Sequence, residues 1–372
     1  MMNSLFDLLL NLLRIKKGIC IFFTVTLLNS LTITLKLNAF NPFDNTITGV
    51  DANNIPFTIK LDDIISINFL IGPCKSCNIL AYVTNIDSNN VSVIDTATNT
   101  VNTTIPVGIR PRGIAFTPDG TRAYVVNTIS NNVSVIDTAT NTVSTTIPVG
   151  IIPESIAITP DGTRAYVVSL ISNDVSVINT TTNTVSTTIP VGLAPQGIAI
   201  TPDGTRAYVA NTNSANVSVI DTTTNTVSTT IPAGTGPLAI AITPDGTRVY
   251  VTNTTSNNVS VIDTATNTVS TTIPVGLAPQ GIAITPDGTR AYVTNSDSAN
   301  VSVINTTTNT VSTIIPVGIR PRGIAFTPDG TRAYVANTSS NNVSVINTTT
   351  NTVSTTIPVG TGPEGIAIGN IC

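Results

Sequence analysis

The 372-residue chain contains no histidine and no tryptophan. Without imidazole it lacks the commonest general base near neutral pH, the commonest nitrogen ligand for metals and the usual axial ligand of haem. Charge is scarce as well, at 10% of residues, and every lysine lies before residue 81. Residues 81 to 372 hold ten Arg against fifteen carboxylates, a balance of −5, while residues 1 to 80 come to +1. A chain so poor in cations is not built for nucleic acid, whose phosphates select clustered Lys and Arg. Most hydrolase and redox chemistry loses its usual side chains, so the expectation is a protein that is not an enzyme and needs neither cofactor nor metal. What the chain does have is apolar bulk: 41% of residues are hydrophobic, enough for a large core.

Its seven tyrosines, Tyr82, Tyr124, Tyr166, Tyr208, Tyr250, Tyr292 and Tyr334, each lie 42 residues after the one before. Residues 79 to 372 make 294 positions, seven such units with nothing left over. Repeats of this kind bury their core between neighbours. One unit, GIAITPDGTRAYVTNSDSANVSVINTTTNTVSTIIPVGIRPR from Gly281, contains four short β-rich runs: A (281–285), B (291–295), C (300–304) and D (310–317). The connectors are too short for crossover helices, which predicts an antiparallel meander. In TPDGTR, Pro286 suits the fixed φ of a type I turn and Gly288 a positive φ; in NTTTNT and DTATNT, Asx and Thr side chains can cap the turn backbone. Each D run carries a proline, from Pro106 to Pro358, which removes a ladder donor and places D at the outer edge. Run A, made of Gly, Ile and Ala, is small enough to crowd an axis, and run C is apolar on both faces, as blades stacked radially require.

YVTN at 82 to 85 and TPDGTRAYV and its close variants in later units resemble the YVTN family of seven-bladed β-propellers. The likeness covers all seven units. It implies an all-β seven-bladed propeller over 79–372 and, for proteins of this family, a frequent place on prokaryotic cell surfaces. Two departures stand out: the first unit has LAYVTN without a preceding TPDGTR, and Ser169 replaces the Asn that usually ends run B.

The repeat region begins inside a unit, at run B, and ends on a run A, GIAI at 365 to 368. The two ends are therefore expected to complete one blade and leave the ring no free edge. Alignment with an intact unit puts Cys77 and Cys372 at one hairpin tip, which predicts a disulfide between them. Cys74 is the alternative partner, a Cys74–Cys77 bridge and free thiols remain open, and the CxxC at 74 to 77 has too few companions for zinc. Upstream, Arg14, Lys16 and Lys17 precede the apolar run 19–35, so residues 1–40 read as a signal peptide or signal anchor and 41–78 as a non-repeat extension. That reading implies a secreted or cell-surface protein with a possible membrane anchor.

Between units the A–B and C–D turns barely change, whereas the B–C and D–A connectors vary, and a meander puts these two at one end of the ring. That end is the expected recognition face. The residue before each run A gives a rim of Arg112, Glu154, Gln196, Leu238, Gln280, Arg322 and Glu364, half charged and half neutral. Arg110 and Arg320 in the IRPRG loops join Arg112 and Arg322 around Glu364 as a possible anion site, with mutual Arg–Glu pairing as the structural alternative. The Arg of each DGTR turn is expected to pair with turn carboxylates. Three functions fit: a non-catalytic binder of protein or glycan, a structural surface-layer component that self-assembles, and, least well, a lactonase-like or quinoprotein-like enzyme.

Overall fold

The computed structural model describes residues 19–27, 32–41, 46–51, 56–60, 64–73 and 77–371. The chain divides into two units, Met1–Cys77 with Cys372, and Asn78–Ile371. In the first, β1 (Ile19–Leu27), β2 (Thr32–Asn41), β3 (Thr46–Asp51), β4 (Pro56–Lys60) and β5 (Ile64–Pro73) form one sheet in the order β4-β3-β2-β1-β5. All its pairings are antiparallel, and Phe23 at the middle of β1 opposes Leu35 on one side and Phe69 on the other. The first part of the apolar run read as a targeting segment thus takes part in a sheet. The basic cluster Arg14, Lys16 and Lys17 lies outside the described residues. Among the described residues no helix is long and apolar enough to cross a membrane.

The second unit is the expected seven-bladed propeller, seven four-stranded antiparallel sheets without a helix among the described residues. Blades 2 to 7 run Pro111–Pro148, Pro153–Pro190, Pro195–Pro232, Pro237–Pro274, Pro279–Pro316 and Pro321–Pro358. Each is a meander from inner strand A to outer strand D. Blade 1 joins both ends of the unit: Pro363–Ile371 is its strand A, paired with Asn78–Asn85, and Asn90–Asp95 and Thr100–Pro106 complete it. Neighbouring A strands contact one another all the way round, so the ring closes through hydrogen bonds between the two ends of this unit.

The turns form for the reasons the sequence gives. At 285–290 the Thr285 amide donates to the Arg290 carbonyl at 2.9 Å, Gly288 sits at φ 72°, and Asp287 accepts from the Thr289 amide and the Thr285 hydroxyl. At the C–D turn the Asn305 Oδ1 accepts from the Thr307 amide at 2.9 Å, and Asn309 takes a positive φ that Asn tolerates better than most residues.

The core lies between blades. Each of seven clusters joins the Tyr-bearing face of one blade to the opposite face of the next, as where Tyr82, Val91 and Val93 meet Ala123, Val125 and Ile136. All seven tyrosines are fully buried. Burying a phenol demands a partner for its hydroxyl, and the next blade supplies it. Six Tyr hydroxyls donate to the Oδ1 of the positive-φ Asn in that blade's C–D turn at 2.5–3.1 Å, and Tyr82 donates likewise to Asn141.

The DGTR arginines correct an expectation. Arg122, Arg164, Arg206, Arg248, Arg290 and Arg332 form no ion pair with turn carboxylates; each reaches the next blade and donates to the first Thr carbonyl of its C–D turn, as Arg332 does to Thr96. The Asp in each turn is already occupied by Thr donors, which leaves the guanidinium to serve the interblade seam.

Cys77 is disulfide-bonded. Cys74 and Cys372, its two expected partners, lie outside the described residues. Within the second unit the pairing of strand A of blade 1 runs as far as Ile371 opposite Asn78.

Candidate functional site

The rim residues occupy a β-bulge. In blade 6 the register jumps from Pro279 opposite Asn295 to Ile282 opposite Val293, so Gln280 and Gly281 share one partner, and the same shift recurs in every blade. A bulge re-aims the side chain it displaces. Here it brings Arg112, Glu154, Gln196, Leu238, Gln280, Arg322 and Glu364 into the lining of one axial cavity of about 160 Å³. Five blades have Gly at the second bulge position and blades 3 and 5 have Ser155 and Ala239; where Gly stands the space is tight, since a Cβ on Gly197 would stand 2.1 Å from the Leu238 carbonyl oxygen and one on Gly365 2.2 Å from that of Arg112. In blades 1, 5 and 6 the threonine of YVTN holds this region. The Gly365 amide donates to the Thr84 hydroxyl at 2.8 Å, and Thr84 donates to the Arg112 carbonyl at 2.7 Å; Thr252 and Thr294 act in the same way.

Around the ring the charged side chains form a row: Glu154, Arg112, Glu364, Arg322, then Gln280. Arg112 Nη1 lies 2.6 Å from Glu154 and 4.0 Å from Glu364; Arg322 Nη1 lies 3.2 Å from Glu364 and 3.0 Å from Gln280 Oε1. Burial pushes the Glu154 carboxyl above its usual range, against the pull of Arg112. The Nε atoms of both arginines are buried without a partner. Two cations and two carboxylates leave the rim with no net charge, so its attraction for an anion is largely cancelled. Arg–Glu pairing, the structural alternative weighed from sequence, describes the geometry.

The cavity gathers all seven rim residues that sequence reasoning named, but not Arg110 and Arg320. Those two occupy positive-φ loop positions, are exposed, and do not line the cavity. Their grouping with Arg112 and Arg322 around Glu364 is therefore corrected: Glu364 pairs with Arg112 and Arg322, while the side chains two residues earlier, before the bulge, stay exposed in the loops. Nor does any group of three His, Cys, Asp or Glu among the described residues form a metal site.

What sequence reading passed over is the hydrophobic character of the same face. Ile109, Ile151, Leu193, Leu277 and Ile319 occupy one equivalent position in five D–A loops, and Ile129 and Ile171 adjoin two of them from the B–C turns. All seven are 50–61% exposed. Their 42-residue spacing was the available signal. The A–B and C–D turns at the opposite end carry Thr, Asp, Asn and Gly instead.

Two family models match part of the chain: a lactonase, 7-bladed β-propeller model over residues 81–230 and a YNCE-like β-propeller model over residues 203–290. No curated protein matches. Among solved structures, the chain resembles Kuenenia stuttgartiensis hydrazine synthase at 23% identity, covering 70% of this chain and 96% of that one, with a TM-score of 0.64. A functionally unknown protein from Desulfotomaculum acetoxidans DSM 771 matches at 20% identity, covering 79% and 99%, with a TM-score of 0.70. A putative 6-phosphogluconolactonase from Bacteroides uniformis ATCC 8492 matches at 19% identity, covering 78% and 100%, with a TM-score of 0.68. What these structures share with the chain is the propeller fold.

Proposed function

We propose that the ring is a non-catalytic docking module of a secreted or cell-surface protein, and that it binds protein through the face bearing the D–A and B–C loops. The observation that carries this reading is the concentration of seven exposed Ile and Leu side chains on that one face. Scattered exposed aliphatics need no explanation, but a set repeated at equivalent loop positions around one end marks an interaction surface. Protein is favoured over glycan because sugar faces stack on exposed aromatics, whereas the ring has no Trp, its seven Tyr are buried, and its two Phe, Phe116 and Phe326, are half-buried edge-on against Tyr82 and Tyr292. The axial cavity, below the roughly 300–1,000 Å³ of most small-molecule sites, supports the same view. Affinity capture from surface extracts with the native chain and with an Ile109→Asp, Ile151→Asp, Leu193→Asp variant tests it. A protein retained by the native chain alone is the expected result, and identical capture by both would reject the face.

A second reading, hydrolysis of a lactone, is favoured by the lactonase model over residues 81–230 and by the buried Glu154 in the cavity. Its test is acid release from sugar lactones by the native chain and by Glu154→Gln. A rate that exceeds buffer and falls in the variant would replace the docking reading.

A further inference from the structure

The same face carries charge as well as apolar side chains, and the charge is ordered. Each B–C turn is hydrogen-bonded to the D–A loop that leads into its own blade, as Asp87 N to Thr361 O, Ile129 N to Ile109 O and Asp297 N to Leu277 O. Every blade therefore presents one loop corner. Asp297 stands at the corner of blade 6, Arg320 at blade 7, Asp87 at blade 1 and Arg110 at blade 2. All four side chains are exposed, and none forms a side-chain hydrogen bond or ion pair among the described residues. Four successive blades thus read minus, plus, minus, plus at their exposed positions, while the corners of blades 4 and 5 are uncharged and that of blade 3 holds the half-buried Asp174.

Turning one ring over onto another reverses the order of its blades. A two-fold axis in the plane of the face, running between blades 7 and 1 and out through blade 4, brings blade 1 over blade 7, blade 2 over blade 6 and blade 4 over itself. Asp87 then faces Arg320 of the second copy, Arg110 faces Asp297, and the reciprocal pairs follow by symmetry. Asp174 of blade 3 is set against uncharged blade 5. Of the seven such axes a seven-bladed ring allows, this alone opposes all four exposed charges with their opposites. It also sets Leu193 of blade 4 against its own counterpart, and Ile109 and Ile129 of blade 2 against Leu277 of blade 6. A foreign partner requires no such internal balance.

Resting on the docking reading, we propose that the occupant of this face is a second copy of the chain, held face to face about that axis. Sedimentation equilibrium of the full chain tests it. The native chain sediments as a dimer, and the association weakens with added salt. Asp87→Arg or Arg320→Asp alone raises the dissociation constant by about tenfold or more, because each change acts twice across the two-fold. Asp87→Arg combined with Arg320→Asp restores dimerisation, while Asp87→Arg combined with Arg110→Asp does not. A monomeric native chain, single variants without effect, or rescue by the second combination would overturn the proposal. The capture experiment reads the docking function separately, since a monomer that still retains a protein through the Ile and Leu loops removes the second copy and keeps the face.

Discussion

Replacing Ser169 by Asn should stabilise the ring. In the other six blades an Asn ends strand B, fully buried, and in each its amide bridges two side chains: Asn127 Nδ2 donates to Asn132 Oδ1 at 2.8 Å and to Ser134 Oγ at 2.9 Å. Blade 3 has Ser169 there and Asp174 in place of the second Asn, and Ser169 Oγ, Asp174 Oδ1 and Ser176 Oγ are all buried without a hydrogen-bond partner. Room for the larger side chain exists, because Gly150 is retained at the position where Gly108 lies against the Asn127 amide. Two restored bonds at about 1 kcal/mol each, less about 1 kcal/mol for an Asn Oδ1 that stays unpaired in every other blade, give a net gain of about 1 kcal/mol. The assay is the guanidinium midpoint at constant m-value. Burial raises the Asp174 carboxyl above its usual value, with the nearby Ser169 partly offsetting it. The native state then holds that proton longer than the unfolded chain, and stability falls as pH rises from about 3.9 through the folded value. An Asn amide favours the carboxylate, so the gain should be larger at pH 7 than at pH 3. An unchanged or lowered midpoint, or a gain independent of pH, would refute the reasoning.

Burial raises the pKa of all seven tyrosines, and Tyr82 reaches about 12 because burial and Asp137 act on it with Leu80 where later blades have an Arg. Stability is then complete below about pH 10 and declines as pH rises through these values, so phenolate absorbance should appear together with unfolding; seven tyrosines titrating near pH 10 in a folded ring would contradict this. Arg332→Leu, which copies the Leu80 of blade 1, should cost about 1.5 kcal/mol through loss of the charged donor to Thr96, read as a lower denaturation midpoint. Non-reducing peptide mapping should join Cys77 to Cys372, and a map with Cys77 joined to Cys74 would reject that pairing.

Blade number, strand order and ring closure were legible because each rests on local chemistry repeated in register. Pro in run D, Gly in the A–B turn and the 42-residue spacing of Tyr act within a unit or between adjacent units. The composition of the rim was legible for the same reason. The positions of Arg110 and Arg320 were not, because two residues of separation straddle a bulge, and only the register shift shows that one side chain turns to the axis and the other to solvent. The arginines of the DGTR turns were misassigned because a sequence displays the carboxylate three residues away but not the carbonyl in the next blade, 58 residues away for five of them and 236 for Arg332.

A closed seven-bladed ring follows from the amino-acid pattern alone, since a period of 42 with four β-rich runs can bury its tyrosines only against neighbouring units. Which polar groups meet depends on the folded ring. It paired Arg112 and Arg322 with Glu154 and Glu364 into a neutral rim, and it gathered Ile and Leu from separate loops onto one face. It also set Asp297, Arg320, Asp87 and Arg110 in alternation around that face. Those relations join residues tens to hundreds of positions apart, and only curvature of the closed ring brings them together.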